Sequence, residues 1–221
     1  DIAIGNIVGS NIANILLILG ITAFIYPLHV EKGTIWKEIP LSLLAALIMG
    51  IMVNDVLIEQ KEIANLGRID GIILIAFFII FLYYVYGIAK NGKNNNIETD
   101  TTNIKMNGLK SIIFIIIGLI GLMLGGKLIV DSAIKIAKIF EVSTSLIGLT
   151  IVAVGTSLPE LATSAVAAYK KNTSIAVGNV IGSNIFNIFF ILGTSAIIHP
   201  LTFERKNNFD IGIMIMASMA L

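Results

Sequence analysis

Windows of predominantly apolar residues, long enough to cross a bilayer, recur along the chain. A helix needs about 20 such residues to span the hydrocarbon core. Six windows meet that requirement, at about 5 to 26, 39 to 57, 70 to 89, 111 to 130, 146 to 169 and 175 to 198, and a seventh begins near 210. Most connections are short. The exception, KNGKNNNIETDTTNIKMNGLK at 90–110, is polar and rich in asparagine, and predicts a flexible linker between two halves. The pattern predicts an all-α integral membrane protein, a polytopic helix bundle. Residues 1–89 form a first repeat unit of three spans, 90–110 the linker, and 111–221 a second unit of three full spans and the start of a fourth.

The strongest internal signal is a duplication. DIAIGNIVGSNIANILLILGITAFIYPL at 1–28 returns as SIAVGNVIGSNIFNIFFILGTSAIIHPL at 174–201, identical at seventeen of twenty-eight positions. The second copy lies five spans after the first. An odd number of crossings makes the copies enter the membrane from opposite sides, the inverted-topology repeat of many secondary transporters. The offset of 173 residues places the counterpart of GTSLPE (155–160) before residue 1. Asp1 falls within a patterned segment and Leu221 inside an apolar run. The chain is therefore expected to be a fragment, continuing upstream with two spans, one carrying a GTS-x-P-E-like hexapeptide, and downstream with the rest of the last half.

Composition narrows the function classes. Apolar residues make up 56% and charged residues 13%, against roughly 25% charged in soluble domains. A net charge of +1 with scattered lysines leaves no basic patch for nucleic acid, and the absence of cysteine excludes disulfides and thiolate metal sites. Alternate loops carry Lys32, Lys37, Lys90, Lys93, Lys105, Lys110, Lys170 and Lys171 on one side, and Lys61, Arg68, Lys135, Lys138, Arg205 and Lys206 on the other. By the positive-inside rule the first side, with the linker, is cytoplasmic.

Candidate chemistry gathers where the apolar pattern is interrupted. The fifth window contains VAVGTSLPELATSA at 152–165, in which Gly155 and Pro159 interrupt the helix while Thr156, Ser157 and Glu160 supply side-chain oxygens. Ser157 and Glu160 also have the spacing of a capping box with Pro159 in the first turn, which a plain helix start would explain. An ionisable residue at membrane depth favours a cation site, because broken helices near the midplane are where transporters coordinate ions. Each repeated copy adds a polar stripe at steps of four: Asn6, Ser10 and Asn14 in the first, Asn179, Ser183 and Asn187 in the second. Such steps drift by only about 40°, so each trio shares a helix face. Gly5 and Gly9, like Gly178 and Gly182, lie beside the stripe and read as small residues that let helices approach closely. Asn11 and Asn184 place further polar groups nearby. Buried amides and hydroxyls are costly unless each finds a partner, and a dehydrated ion is such a partner. All the donors are oxygens, which suits hard cations and, for a site shared between helices of two repeats, Ca²⁺ more than Mg²⁺.

The pairing of GTSLPE with GNVIGSNIFN, and the earlier GNIVGSN, resembles the α-repeats of the cation/Ca²⁺ exchanger superfamily, particularly its prokaryotic sodium/calcium antiporters. The resemblance covers nearly the whole chain, and it implies five-helix halves with broken helices at the ion site. By motif it implies cation ligands at Thr156, Ser157 and Glu160 from the break, Ser183 and Asn187 from the second stripe, Ser10 and Asn14 from the first, and the backbone carbonyl of Ala153. Gly5, Asn6, Gly9, Gly155, Pro159, Gly178, Asn179 and Gly182 are supporting or packing residues in this reading. The implied activity is exchange of Ca²⁺ for Na⁺ by alternating access in a prokaryotic plasma membrane, with both ions as cargo, no resident cofactor and the lipid bilayer as surroundings; the oligomeric state is not implied. Some relatives carry Asp where this chain has Asn187, so the site here is less negative by one.

Two other readings differ from this one. A proton/Ca²⁺ exchanger of the same superfamily would call for more carboxylates. An intramembrane hydrolase could use Ser157 as nucleophile, but it needs a base within reach and His29 and His199 both sit at the ends of apolar runs. Lys127 and Asp131, four apart, are expected to pair near a helix end. Asp55, Glu59, Lys61, Glu62, Arg68 and Asp70 read as a solvated loop.

Overall fold

A backbone in hydrocarbon must satisfy its own N–H and C=O groups, so the apolar windows fold as helices. The computed structural model describes residues 2–30, 33–55, 65–92, 108–141, 153–203 and 207–221. The first span is α1 (Ile2–Ala13), a π-helical turn (Asn14–Ile18) and α2 (Leu19–Ile25) in unbroken succession. A second π turn (Thr34–Glu38) leads into α3 (Ile39–Met52). Then come α4 (Arg68–Gly92) and α5 (Gly108–Ile139). The fifth span is split into α6 (Ala153–Thr156) and α7 (Leu158–Tyr169). The sixth repeats the design of the first, with α8 (Thr173–Phe186), a π turn (Asn187–Leu192) and α9 (Gly193–Ile198), and α10 (Asn208–Met219) follows.

The two copies agree in their irregularities as well as in their helices. The π turns begin at Asn14 and Asn187, at the repeat offset of 173. Both spans end on an extended residue, Tyr26 and His199, because Pro27 and Pro200 follow and disfavour helical backbone in the preceding residue. Beyond these ends, β1 (Asn65–Leu66) and β2 (Leu201–Thr202) form a short antiparallel ladder pairing Leu66 with Leu201.

Lipid tails are as apolar as leucine, so helices in a bilayer are held by close packing and polar contacts and not by a hydrophobic driving force. The core lies along the α1–α8 seam. Ile4, Val8 and Ile18 meet Val180, Ile181, Ile185 and Phe189, with Met49 of α3, Leu74 of α4 and Met214 of α10 closing around them. A close backbone crossing joins α4 and α9, where a β-carbon on Gly71 would lie 2.6 Å from the Gly193 carbonyl oxygen. Phe77 stacks on Phe189 beside it, with centroids 5.5 Å apart. In contrast α5 lies at the margin; Ala137 is its buried residue, and most of its isoleucines and leucines are exposed.

Several boundaries differ from the sequence reading. The second span enters its helix at Thr34 and leaves it at Met52, not 39 to 57. The wider π turn just before Pro40 accommodates the proline ring and its missing N–H. The fourth helix runs to Ile139 and not to 130, so Lys127 and Asp131 stand in its interior and not near an end. Asp70 is part of α4, where its Oδ2 accepts the Gly67 N–H at 2.8 Å, and does not belong to a loop. Residue 57, the charged residues Glu59, Lys61 and Glu62, most of the linker (93–107), the start of the fifth window (146–152) and Arg205 and Lys206 lie outside the described residues.

Candidate functional site

The break in the fifth span falls at Ser157, which has φ −99° and ψ 4° between α6 and α7. Its carbonyl begins the α7 ladder by accepting the Leu161 N–H at 3.0 Å. The capping box does not form: the Ser157 side chain makes no cap hydrogen bond, and the Oε2 of Glu160 is buried without a hydrogen-bond partner. Pro159 stands in the first turn of α7, where a missing N–H costs nothing. Gly155 is held small by α5, since a β-carbon there would collide with the Val130 side chain.

Helix α7 is packed between the two copies, against α8 on one side and against α2 and the first π turn on the other. Asn179 fixes it to α8. The Nδ2 of Asn179 donates to the Glu160 carbonyl at 3.2 Å and to the Ser164 Oγ at 3.0 Å, and Ser164 donates to the Ala176 carbonyl at 3.3 Å. A cavity of about 440 Å³ opens where these helices meet, walled by Glu160, Asn179, Ser183 and Asn187 with Gly178 and Gly182 between them. Among the described residues, a β-carbon at Gly5, Gly9, Gly178 or Gly182 would meet no atom within 4 Å. Gly178 and Gly182 keep the cavity wall recessed.

The copies meet through asparagine. Asn11 donates through Nδ2 to the Asn184 carbonyl at 3.2 Å, and Asn184 returns a bond to the Asn11 carbonyl at 3.4 Å. Asn14 donates to the Asn184 Oδ1 at 2.9 Å, and Asn187 to the Asn11 Oδ1 at 3.0 Å. Each bond has its equivalent under exchange of the copies. Reciprocal contacts of this kind are what a two-fold relation produces.

Of the expected ligands, Glu160, Ser183 and Asn187 face the cavity together. Asn14 is buried on the seam with its Oδ1 lacking any hydrogen-bond partner. Ser10 is half-buried one turn before it, Ser157 is buried at the break, Thr156 is exposed beside it, and Ala153 opens α6; none of the four is part of the described cavity wall. Asn6, the counterpart of Asn179, is exposed. Both histidines are exposed at span ends, and the His29 carbonyl is engaged by the Thr173 hydroxyl at 2.9 Å. No cluster of three acidic, histidine or cysteine side chains occurs among the described residues, and the side chains that share the cavity wall with Glu160, those of Asn179, Ser183 and Asn187, are neutral. Asn11 and Asn184 were expected as further polar groups beside the stripe, without the reciprocal pairing they make; Ser164 was not singled out, and the repeat carries no signal for it.

Comparison with known proteins agrees with this architecture. A family model described as sodium/calcium exchanger protein matches residues 1–87 and 110–221. The inner membrane protein YrbG of Escherichia coli is 35% identical over 230 residues, covering 99% of this chain and 67% of YrbG. The sodium/calcium exchanger MaX1 of Methanosarcina acetivorans is 33% identical over 251 residues, covering all of this chain and 71% of MaX1. A solved structure of the sodium-calcium exchanger NCX_Mj, soaked with 10 mM Na⁺, superposes with a TM-score of 0.77 at 37% identity, covering 99% of this chain and 67% of that one. A multi-pass helical bundle with duplicated GNxxGSN segments about a broken GTSLPE helix, matched by that family model over both halves, belongs to the sodium/calcium exchanger family, a family of transporters.

Proposed function

We propose that this protein is a secondary active transporter that exchanges Ca²⁺ for Na⁺ across a prokaryotic plasma membrane by alternating access, with the 90–110 linker on the cytoplasmic side. The observation that carries the reading is a pair of buried side-chain oxygens, Glu160 Oε2 and Asn14 Oδ1, that have no hydrogen-bond partner. An unsatisfied buried acceptor costs about 1–3 kcal/mol, and more when it is charged. A cation supplies the missing partner to both, and its hydration shell is replaced by the oxygens of Ser183 and Asn187 in the same wall. Thr156, Ser157, Ser10 and the Ala153 carbonyl complete the ligand set in this reading, reached as α7 and the two copies shift.

Na⁺ and Ca²⁺ then draw on overlapping oxygens and cannot both saturate the site. Two inverted halves rocking about a shared site expose it to one side at a time, so a gradient of one ion drives the other. The test is ⁴⁵Ca²⁺ uptake into vesicles carrying the full-length protein, with and without an opposing Na⁺ gradient. Stimulation by internal Na⁺ is the expected result. Uptake indifferent to Na⁺ on either side and steeply driven by a pH gradient would replace this reading with proton coupling.

A further inference from the structure

A side-chain amide has a donor end and an acceptor end, and its partners decide which way each points. On the seam those partners leave no choice. A carbonyl oxygen can only accept, so Asn11 must turn Nδ2 toward the Asn184 carbonyl, and Asn184 must turn Nδ2 toward the Asn11 carbonyl. The Oδ1 of each is left facing the opposite copy. Asn187 meets the Asn11 Oδ1 with its own Nδ2, and Asn14 meets the Asn184 Oδ1 in the same way. What remains of Asn14 is its oxygen, which is buried and unpartnered, and Asn187 lines the cavity with its Nδ2 already engaged.

We propose that Asn11 and Asn184 are positioning residues that fix the polarity of the Asn14 and Asn187 amides, so that each offers oxygen and not NH₂ to the transported cation. The proposal rests on the cation-site reading above. Its physical content is a relay of two amides in each direction, anchored on backbone carbonyls that cannot rotate. Without the anchor an amide turns freely, and in half of its orientations an N–H dipole faces the ion and repels it. Neither Asn11 nor Asn184 needs to touch the ion.

The experiment measures Ca²⁺ affinity of the purified full-length protein, by calorimetry and by the Ca²⁺-dependent rise in Tm. Asn184→Ala is expected to weaken Ca²⁺ binding about tenfold or more, the scale of losing one charge-assisted contact. Adding Asn14→Asp to it restores binding, because a carboxylate presents oxygen whichever way it turns. In the otherwise unsubstituted protein Asn14→Asp sets a carboxylate oxygen against the Asn184 Oδ1, so its benefit there is at least tenfold smaller. A merely structural Asn184 gives the same Asn14→Asp effect in both backgrounds, and that additivity overturns the proposal. If Asn184→Ala does not fold, Asn11→Ala with Asn187→Asp is the equivalent pair on the other copy. Failure of both alanine variants, with no folded and Ca²⁺-responsive protein recovered by the aspartates, also overturns it. Glu160→Gln separates the two readings. Loss of Ca²⁺ binding there, with additive asparagines, removes this inference alone, whereas an unsubstituted protein that binds no Ca²⁺ removes both.

Discussion

Replacing Glu160 by glutamine separates an ion ligand from a helix cap, because the two roles predict opposite changes in the ion-free protein. Glutamine preserves the shape and one oxygen but removes the only acidic side chain of the cavity wall. Two unit charges 4 Å apart attract by about 4 kcal/mol at an effective dielectric constant near 20. A divalent ion doubles that gross figure, and the half-exposed site with its desolvation cost reduces it again; removing one partner of a desolvated pair typically costs about 3 kcal/mol. Ca²⁺ affinity should therefore fall by roughly two orders of magnitude. Without Ca²⁺ the variant should be as stable as the parent or more so, since an unpartnered buried Oε2 has been neutralised. A cap role predicts the reverse, a lower Tm from a weakened N-terminus of α7 and no change in ion affinity. Calorimetric Ca²⁺ titration, paired with Tm in chelator and in saturating Ca²⁺, reads both quantities. Unaltered affinity with a lowered ion-free Tm would refute the reasoning.

Three further outcomes are expected. Na⁺ on the same side should lower apparent Ca²⁺ affinity and Na⁺ on the opposite side should accelerate uptake, with Asn187→Ala weakening both effects together; vesicle flux at graded Na⁺ checks this. Gly71→Ala should destabilise by about 1–3 kcal/mol, because its methyl meets the Gly193 carbonyl, whereas Gly182→Ala should leave Tm nearly unchanged and reduce Ca²⁺ affinity several-fold by placing a methyl in the cavity; thermal denaturation beside Ca²⁺ titration distinguishes them. Asn54→Ala removes the reciprocal amide pair with Asn208, 2.8 Å in each direction, and should cost about 1–2 kcal/mol of stability without altering Ca²⁺ affinity, as measured on the same two axes.

The duplicated segment was the most legible feature, and the structure carries it into backbone detail. Identity between residues 1–28 and 174–201 anticipated equivalent spans, and the π turns at Asn14 and Asn187 and the stops before Pro27 and Pro200 fall at equivalent positions. The π turns themselves were not legible, since no residue type marks a change from i−4 to i−5 hydrogen bonding. The capping-box spacing of Ser157 and Glu160, the plainer alternative to a cation site, is a local signal that the fold does not use. Local spacing allows the box, but packing of α7 between the copies leaves the carboxylate with one oxygen unbonded. The stripe glycines were read as packing residues because small-xxx-small spacing carries no record of what stands opposite. Among the described residues no neighbour crowds Gly178 or Gly182, while a crossing as tight as Gly71 on Gly193 had no periodic signature at all.

By itself, the sequence determined the membrane environment, the order of the apolar helices, the duplication and the kinds of donor atoms available, because these depend on hydropathy and chemistry along the chain. Tertiary structure decided which of those donors face one another. Asn11 and Asn184 lie 173 residues apart, and only the approach of α1 to α8 makes each the hydrogen-bond partner of the other. The same approach orients Asn14 and Asn187, and the packing of α7 between the copies sets Glu160 beside Ser183. Amide polarity, cavity shape and unsatisfied acceptors are properties of contacts between distant segments, and no local pattern of residues specifies them.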